Sequence, residues 1–303
     1  MPAFDLRKSH EHPHVFDAFL ILLGVVGLFT AWSSFRAGGF WDVLGILALV
    51  GEALLAYGVF IEPQHLSVVR YREPLVAQPT TWVSIAFLSD LHAGGFRTRA
   101  WFERVARETA ALHPDLILLG GDFVADRVDP LDDLSPLTQL SAPLGKFFVL
   151  GNHDFFDRPQ EVRAAIRSFG FTDLTNTSLA FERNGRAFEL SGIDDVWYGN
   201  PKRQGRSSPI LPHVTLSHEP DILLDLAEKE TDLVLSGHTH GGQVRLPFVG
   251  PLWPVPTLLG RNASQGRFVR NGITGIISNG LGETDGRLRL MTPPQIVLVE
   301  VGI

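Results

Sequence analysis

The sequence predicts an α/β protein with mixed parallel and antiparallel sheets flanked by helices, preceded by an apolar helical hairpin. Short apolar runs that end in glycine and polar residues alternate with helical patterns, as in parallel sheets with right-handed crossovers. An Asn-Gly pair lies between two alternating runs in residues 179–193, which indicates an antiparallel hairpin. Two apolar runs near the N-terminus approach the length of bilayer-spanning helices.

The composition limits the class of protein. The chain has 303 residues, no cysteine and a formal net charge of −7. At ~150 residues per domain, this length allows about two domains, or one large domain with an appendage. Without cysteine there can be no disulfide, thiolate zinc site or cysteine nucleophile. We expect no nucleic-acid partner, because phosphate backbones select basic surfaces.

The N-terminal apolar sequence forms two runs, residues 18–35 and 43–61. Since a bilayer core of ~30 Å needs ~20 helical residues, both runs reach the lower limit of spanning length. Glu52 interrupts the second run, and a carboxylate at mid-bilayer costs about 2.5–3.5 kcal/mol unless it is neutral or faces the partner helix. We predict a transmembrane hairpin over residues 15–61. The alternative is a buried or interfacial helical pair.

Basic residues beside this hairpin predict its orientation. Two precede it and two follow it, whereas one lies in the link between the runs. The flanking residues are Arg7, Lys8, Arg70 and Arg72, and the link carries Arg36. The positive-inside rule then puts both ends in the cytoplasm. Residues 1–14 are predicted to be a polar tail, and its three histidines (His10, His12 and His14) are interpreted as solvated rather than metal-binding.

The rest of the chain is predicted to be a linker followed by one domain. Residues 62–80 carry three prolines and are interpreted as a linker that starts a strand, and residues 81–303 as the catalytic domain. Continuous apolar runs predict five buried strands in residues 83–90, 115–122, 146–152, 213–218 and 232–238. Helical spacing predicts helices over residues 98–112, from Pro159 onward, and over residues 221–229.

Each of the five predicted buried strands ends in a residue that can bind a metal ion. Because ligands bind at the carboxyl ends of strands in α/β sheets, we expect these side chains to converge. The candidate ligands are Asp90, His92, Asp122, Asn152, His218, His238 and His240. Carboxylate, amide and imidazole donors suit Mn, Fe, Zn or Ni, and there are enough of them for two ions. Asp122 is the natural bridge because one carboxylate offers two oxygens.

Each motif alone has a simpler structural explanation. Gly-Gly-Asp often caps a turn, and an isolated His218 is typical of a hydrogen-bonded structural histidine. The joint order Asp-x-His, Gly-Asp, Gly-Asn-His-Asp, His and Gly-His-x-His predicts a dinuclear metal site.

With these motifs, the chain from about residue 82 to the C-terminus resembles the calcineurin-like metallophosphoesterases. Within them it is most similar to a membrane-associated bacterial branch, through residues 217–221, 240–243 and 278–282 and through Arg289. The resemblance implies that His153 contacts the phosphoryl group and protonates the leaving oxygen, and that Asp154 orients His153. It also implies that Asp90, His92, Asp122 and His240 hold one ion, and that Asp122, Asn152, His218 and His238 hold the other.

The resemblance implies a metal-dependent hydrolase that cleaves a phosphodiester or pyrophosphate bond with a metal-activated hydroxide. We expect two divalent ions, preferably Mn. The branch includes proteins that cleave UDP-2,3-diacylglucosamine in lipid A biosynthesis, so we expect a lipid-linked substrate. We also expect a bacterial inner-membrane location with a cytoplasmic catalytic domain. The alternatives are a membrane-tethered phosphodiesterase or nucleotidase for soluble substrates, and a non-catalytic metal-binding scaffold.

Two loops are candidates for substrate selection. Residues 199–211 carry Lys202, Arg203 and Arg206, which suit a second phosphate or lipid headgroups, although we favour a solvated loop. Residues 244–259 combine bulky apolar side chains with four prolines. This loop is either half-buried packing or an apolar rim that touches acyl chains or the bilayer surface.

Overall fold

The computed structural model describes residues 13–125, 129–227, 230–284 and 286–303. The predicted polar tail, residues 1–14, lies outside the described residues except for its last two positions, and so do His10 and His12. Helix and strand bounds are given below for the described residues.

Five α-helices and fourteen strands are present in the described ranges. The helices are α1 (Pro13–Ala37), α2 (Trp41–Ala56), α3 (Arg99–Ala110), α4 (Pro159–Ser168) and α5 (Ile222–Asp225). The first seven strands are β1 (Ser67–Pro74), β2 (Trp82–Leu88), β3 (Leu116–Leu119), β4 (Lys146–Phe148), β5 (Thr172–Asp173), β6 (Thr177–Arg183) and β7 (Arg186–Gly192). The others are β8 (His213–Leu216), β9 (Leu233–Ser236), β10 (Arg245–Leu246), β11 (Gly250–Pro251), β12 (Gly266–Arg270), β13 (Ile273–Ile277) and β14 (Gln295–Gly302).

Two six-stranded sheets form the centre of the fold. The first has the order β1-β14-β2-β3-β4-β5, and every pair in it is parallel except β14 with β2. The second has the order β12-β13-β9-β8-β7-β6, with antiparallel pairs at both edges and parallel pairs between them. The predicted mixed α/β fold class is confirmed, and Asn184-Gly185 forms the turn of the predicted hairpin.

Side-chain alternation in the strands makes the layers. In β2, Ile85 and Phe87 point into the core between the two sheets, whereas Ala86 and Leu88 face the outer core. Helices α3 and α4 cover that outer face with buried side chains such as Phe102. Helix α5 covers the outer face of the second sheet. The sandwich therefore aligns the carboxyl ends of the predicted buried strands at one edge.

The third predicted helix is shorter than expected. Residues 221–229 were predicted to be helical, but α5 ends at Asp225 because Leu226 is extended, with φ −76° and ψ 129°. Residues 228 and 229 lie outside the described part of the chain.

The predicted linker, residues 62–80, contains the strand that the sequence analysis expected to start there. This strand is β1, which pairs in parallel with β14 along all eight residues and forms an edge of the first sheet. Val68 packs against the outer core and Tyr71 against the core between the sheets. The segment is therefore part of the sheet, because it supplies side chains to both cores.

Two helical segments are long and apolar enough to cross a membrane: Ala18–Ala37 in α1, and Trp41–Gln64, which comprises α2 and the two helical turns after it. Most of their large apolar side chains are exposed, and the contacts between them use small residues. A Cβ atom on Gly27 would overlap the Glu52 carboxylate, and one on Gly45 would overlap the Phe35 ring. Glu52 therefore faces the partner helix, which is the position that lowers the cost of a carboxylate in an apolar hairpin.

The end of this hairpin is fixed to the rest of the molecule. A π-helical turn (Tyr57–Ile61) and a 3-10 turn (Glu62–Gln64) follow α2. The Arg289 N–H donates to the Gly58 carbonyl at 2.9 Å, and the Thr292 N–H donates to Glu62 Oε1 at 2.5 Å. We call residues 57–64 the hairpin base.

Candidate active site

The seven candidate ligands lie in one buried cluster at the carboxyl edge of the sandwich. They follow β2 (Asp90 and His92), β3 (Asp122), β4 (Asn152), β8 (His218) and β9 (His238 and His240). Each is at most 5% exposed. The parallel strand order brings these scattered positions together, as the sequence analysis expected.

Two imidazoles and two carboxylates form one half of the cluster. His92 Nε2 lies 3.1 Å from His240 Nε2, and His240 Nε2 lies 3.6 Å from Asp90 Oδ1. Asp122 Oδ2 is 3.7 Å from His92 Nε2. Ligand atoms of Asp90, His92 and His240 lie close enough together to hold one cation, and Asp122 adjoins this group at His92.

The other half of the cluster also includes Asp122. Its Oδ2 atom lies 3.2 Å from His218 Nε2, which is 3.1 Å from Asn152 Oδ1. His238 Nδ1 lies 2.9 Å from the same Asn152 oxygen and 3.3 Å from His218 Nε2. Asp122 therefore stands between the two halves, at the position predicted for a bridging ligand.

Backbone carbonyls fix the orientation of two of the imidazoles. His218 Nδ1 lies 2.7 Å from the Gly120 carbonyl oxygen, and His240 Nδ1 lies 3.1 Å from that of Gly282. A carbonyl oxygen only accepts, so Nδ1 carries the proton in both rings. The Nε2 lone pairs then face the cluster, which is the outer-shell arrangement of metal-binding histidines.

The backbone at these positions is strained. Five of the ligand residues have φ between 47° and 68°, a left-handed region that residues other than glycine rarely adopt. They are Asp90, His92, Asp122, His238 and His240. Such residues concentrate at functional sites, where the surrounding fold holds them in place.

Two glycines make room for the ligand carboxylates. A Cβ atom on Gly151 would lie 2.4 Å from Asp122 Oδ1, and one on Gly237 would lie 2.2 Å from Asp90 Oδ2. These clashes explain why glycine precedes both the Asn-His-Asp and the His-x-His motif.

The electrostatics of the cluster favour cations. Burial raises the pKa of Asp90 to about 6 and lowers that of His238 to about 3. Burial also acts to raise the pKa of Asp122, but His218 beside it holds that pKa well below its usual range. Among the described residues, Asp90 Oδ2 is a buried atom with no hydrogen-bond partner. Burial acts to lower the pKa of His218, but Asp122 raises it well above its usual range, so a bound cation would take the place of the second proton on this ring. The cluster therefore fits a pair of divalent ions, which would satisfy its buried carboxylates.

His153 borders the cluster, and Asp154 next to it binds the backbone of the surrounding loops. His153 Nδ1 contacts the Ala125 carbonyl oxygen. The Asp154 carboxylate accepts from backbone N–H groups, at 2.8 Å from Phe123 and 2.9 Å from Gly151. Burial raises the pKa of Asp154 to about 7, and these donors oppose the rise. The contacts thus make Asp154 a positioning residue for the loops that carry Asp122 and Asn152.

A cavity of about 710 Å³ opens from the cluster. One wall is aromatic, and its rings contact the cluster residues directly. The Trp197 ring lies edge-on to His238 at 4.4 Å between centroids, and Phe156 is 4.8 Å from His153. Trp253 and other apolar side chains also line the cavity, including Val244, Pro254, Pro256 and Leu288, and we call these residues its apolar end.

The aromatic wall was not predicted from the sequence. Two buried carboxylates hold it: Asp195 Oδ1 accepts from the N–H groups of Trp197 (3.0 Å) and Tyr198 (2.6 Å), and Glu219 Oε2 accepts from Val196 (3.0 Å). Glu219 belongs to the segment 217–221, which had been noted only for its resemblance to the bacterial branch. An acidic residue directly after a ligand histidine was the available signal.

The two candidate selection loops differ. In residues 199–211, Arg203 pairs with Glu230 at 3.5 Å and Arg206 with Asp232 at 2.5 Å, so these cations are held by acidic neighbours. In residues 244–259, Trp253 lines the cavity, which favours the apolar-rim interpretation for this end of the loop.

Comparison with known proteins agrees with this geometry. The family model for the calcineurin-like phosphoesterase matches residues 83–242. The chain belongs to the calcineurin-like phosphoesterase family. The match covers all seven candidate ligands together with His153 and Asp154.

Three relatives are similar over much of this phosphoesterase. Phosphodiesterase YaeI of Escherichia coli (strain K12) is 32% identical over 81% of this chain and 92% of its own. The uncharacterized metallophosphoesterase YkuE of Bacillus subtilis (strain 168) is 30% identical over 86% of this chain and 94% of its own. The transmembrane protein with metallophosphoesterase domain of Danio rerio is 30% identical over 66% of this chain and 50% of its own.

The predicted enzyme class is confirmed: the protein is a hydrolase of phosphoesters. Its family and the three groups of closely spaced buried ligand atoms indicate divalent metal ions as cofactors.

Proposed function

We propose that this phosphoesterase is a membrane-anchored, two-metal enzyme that cleaves a phosphodiester or pyrophosphate bond in a lipid-linked substrate. The observation that carries the proposal is the cavity, which joins the ligand cluster to an apolar end at Trp253 and Leu288. A phosphate at the cluster and an acyl group at the apolar end match these two environments.

The metal assignment follows the two halves of the cluster. One ion is assigned to Asp90, His92, Asp122 and His240, and the other to Asp122, Asn152, His218 and His238. In such a site, divalent cations supply Lewis acidity and lower the pKa of bound water from ~15.7 toward ~7. The oxygen and nitrogen donors suit Mn, Fe, Zn or Ni, and we propose Mn.

His153 is proposed to protonate the leaving oxygen. Its Nδ1 contacts the Ala125 carbonyl, so the proton for the substrate must come from Nε2. The ring also lies edge-on to His92, with centroids 4.8 Å apart, at the border between cluster and cavity. A general acid in this position contacts the substrate while the ligands hold the ions.

The membrane anchor is assigned to residues 15–61 and the catalytic domain to residues 81–303. Support comes from the exposed apolar surface of α1 and α2, which a bilayer would cover. The flanking arginines and lysine favour an orientation with the catalytic domain in the cytoplasm, at the inner membrane of a bacterium.

A lipid-linked substrate is favoured because the hairpin base adjoins the cavity. A Cβ atom on Gly58 would lie 2.7 Å from Leu288 Cδ1, and Leu288 lines the cavity. The apolar end of the cavity is therefore next to the segment that emerges from the membrane. UDP-2,3-diacylglucosamine, the intermediate of lipid A biosynthesis, has the required phosphate linkage and acyl chains.

The test compares substrates on purified, Mn-loaded protein in detergent. We expect hydrolysis of bis-p-nitrophenyl phosphate and faster turnover of UDP-2,3-diacylglucosamine, with release of UMP and a lipid monophosphate. Turnover of nucleotides but not of the UDP-lipid would refute the lipid-linked substrate and favour a tethered phosphodiesterase for soluble substrates. If the protein bound two ions but hydrolysed none of these substrates, it would be a metal-binding scaffold.

A further inference from the structure

The loop that contains β10 and β11 carries a group of apolar side chains outside the core. Phe248, at the tip of this short hairpin, is fully exposed, and Leu258 is 83% exposed. Val249 and Trp253 are each more than half exposed. We propose that this apolar loop, residues 246–258, is a second membrane contact that inserts into the surface of an anionic bilayer. The inference rests on the membrane anchor of the proposed function.

The apolar loop is joined to the hairpin base through one strip of backbone. The Arg289 N–H donates to the Gly58 carbonyl, and the next residue, Leu290, accepts from the Arg245 N–H at 2.9 Å. Val244, beside Arg245, forms a bridge with Leu290. A bilayer that holds the hairpin therefore lies within a few residues of the start of the apolar loop.

The charge of this region matches anionic headgroups. Residues 233–282 contain four arginines and no Asp or Glu, in a chain whose net charge is −7. Carboxylates from outside this range are nearby: Glu73 pairs with Arg267, and the buried Asp221 accepts from the Leu258 N–H. Two of the four arginines are beside the loop: Arg261 donates to the Pro251 carbonyl, and Arg245 donates to Gly241 and Ser264. Neither forms an ion pair with a described residue, so both can attract phosphate groups near the membrane surface.

A bilayer fits this surface better than a protein partner. The tip is convex, because β10 and β11 have two residues each and Phe248 extends beyond them. A small apolar wedge with basic neighbours is typical of interfacial membrane contacts. Moreover, Trp253 both lines the cavity and is exposed. A protein that covered this face would close the cavity, whereas a fluid bilayer would supply a lipid-linked substrate to it.

The absence of cysteine makes a labelling test direct. Single cysteines are introduced in the full chain as Phe248→Cys, Ile210→Cys and Leu22→Cys, and each is labelled with the fluorophore NBD. The proteins are reconstituted in nanodiscs of phosphatidylcholine and phosphatidylglycerol. Ile210 is the matched control, because it is 85% exposed but precedes β8, whose other end carries the ligand His218. Leu22 in α1 reports on the hairpin.

We expect the label at position 248 to be quenched by spin-labelled lipid and protected from aqueous iodide, with a blue-shifted emission. The label at position 210 should show the opposite pattern. A label at 248 that iodide quenches, while the label at 22 is in lipid, would overturn this inference and leave the anchor intact. A label at position 22 that is exposed to water would overturn both this inference and the proposed membrane anchor. Hydrolysis of bis-p-nitrophenyl phosphate in the same nanodiscs tests the catalytic proposal separately.

Discussion

The ligand cluster and the apolar loop adjoin the same cavity, but their side chains are in opposite environments. The cluster is made of polar and ionisable groups that are at most 5% exposed, on a backbone with left-handed φ at five positions. The apolar loop exposes large hydrophobic groups that pack against little of the protein. The fold therefore encloses the ligand cluster completely, whereas it leaves the large side chains of the apolar loop uncovered.

The largest expected effect comes from breaking the cluster at its shared ligand. Asp122→Ala removes the carboxylate that lies within 3.7 Å of both His92 Nε2 and His218 Nε2. We expect both ions to be lost, and activity to fall by at least about 10³-fold, because each 1.36 kcal/mol of lost transition-state stabilisation is tenfold in rate. Elemental analysis measures the ions per chain. Asp132→Ala, at an exposed position, is the control, and retention of both ions by Asp122→Ala would disprove the bridge.

The second-largest effect is expected from His153→Ala, which should impair proton transfer but not metal binding. His153→Ala should lower the rate by about 10²–10⁴-fold, the usual contribution of a general acid, while the metal content stays near two per chain. The loss should be larger for an alkyl leaving group than for p-nitrophenol, which needs less protonation. His65→Ala, which changes an exposed histidine, serves as the control. Equal losses for both leaving groups would exclude His153 as the acid.

A third change tests how the fold supports the cluster. Arg289 is fully buried, and it donates to Glu283 Oε1 at 3.0 Å and to the carbonyl of Gly282, which also contacts His240. Arg289→Met leaves the Glu283 charge buried with less compensation, so we expect a loss of about 3–5 kcal/mol in the free energy of unfolding.

A lowered Tm, measured by thermal denaturation, is the readout for this variant. Arg99→Met removes an exposed ion pair with Glu103 (3.4 Å) and should change stability by no more than about 0.5 kcal/mol. If the two variants had the same Tm, Arg289 would not stabilise the loop that contains Gly282 and Glu283.

The ligand residues could be predicted because their signal is local in the sequence. Each follows an apolar strand within four residues, and parallel strands carry such positions to one edge. The sequence also predicted the mixed sheets, α3 and α4 from strong periodicity. Predicted strands were too long at their carboxyl ends, because the glycine and polar residues there form the loops of the site.

The missed features depend on contacts between distant residues. The aromatic wall depends on Asp195 and Glu219, whose bonds to backbone N–H groups have no periodic pattern. The contacts of Asp154 with Phe123 and Val124 were not predicted for the same reason, because these partners lie about 30 residues away in the chain. A strand start was predicted in residues 62–80, but the pairing of β1 with β14 was not, because its partner lies near the other end of the chain.

The smallest expected effects come from two tryptophan substitutions, one in the aromatic wall and one at the apolar end of the cavity. Trp197 lies against His238, whereas Trp253 lines the apolar end. We expect Trp197→Ala to lower kcat for both bis-p-nitrophenyl phosphate and the UDP-lipid, because it disturbs a ligand. Trp253→Ala should mainly raise KM for the UDP-lipid, by about tenfold, since one lost apolar contact of this size is worth roughly 1–2 kcal/mol.

Steady-state kinetics of the two tryptophan variants on both substrates measure this split. A change in KM without a change in kcat means that binding is lost equally in ground and transition states, which is the behaviour expected of an acyl-binding surface. If Trp253→Ala instead lowered kcat for both substrates, the apolar end would be part of the catalytic support. The cavity would then have one function rather than two.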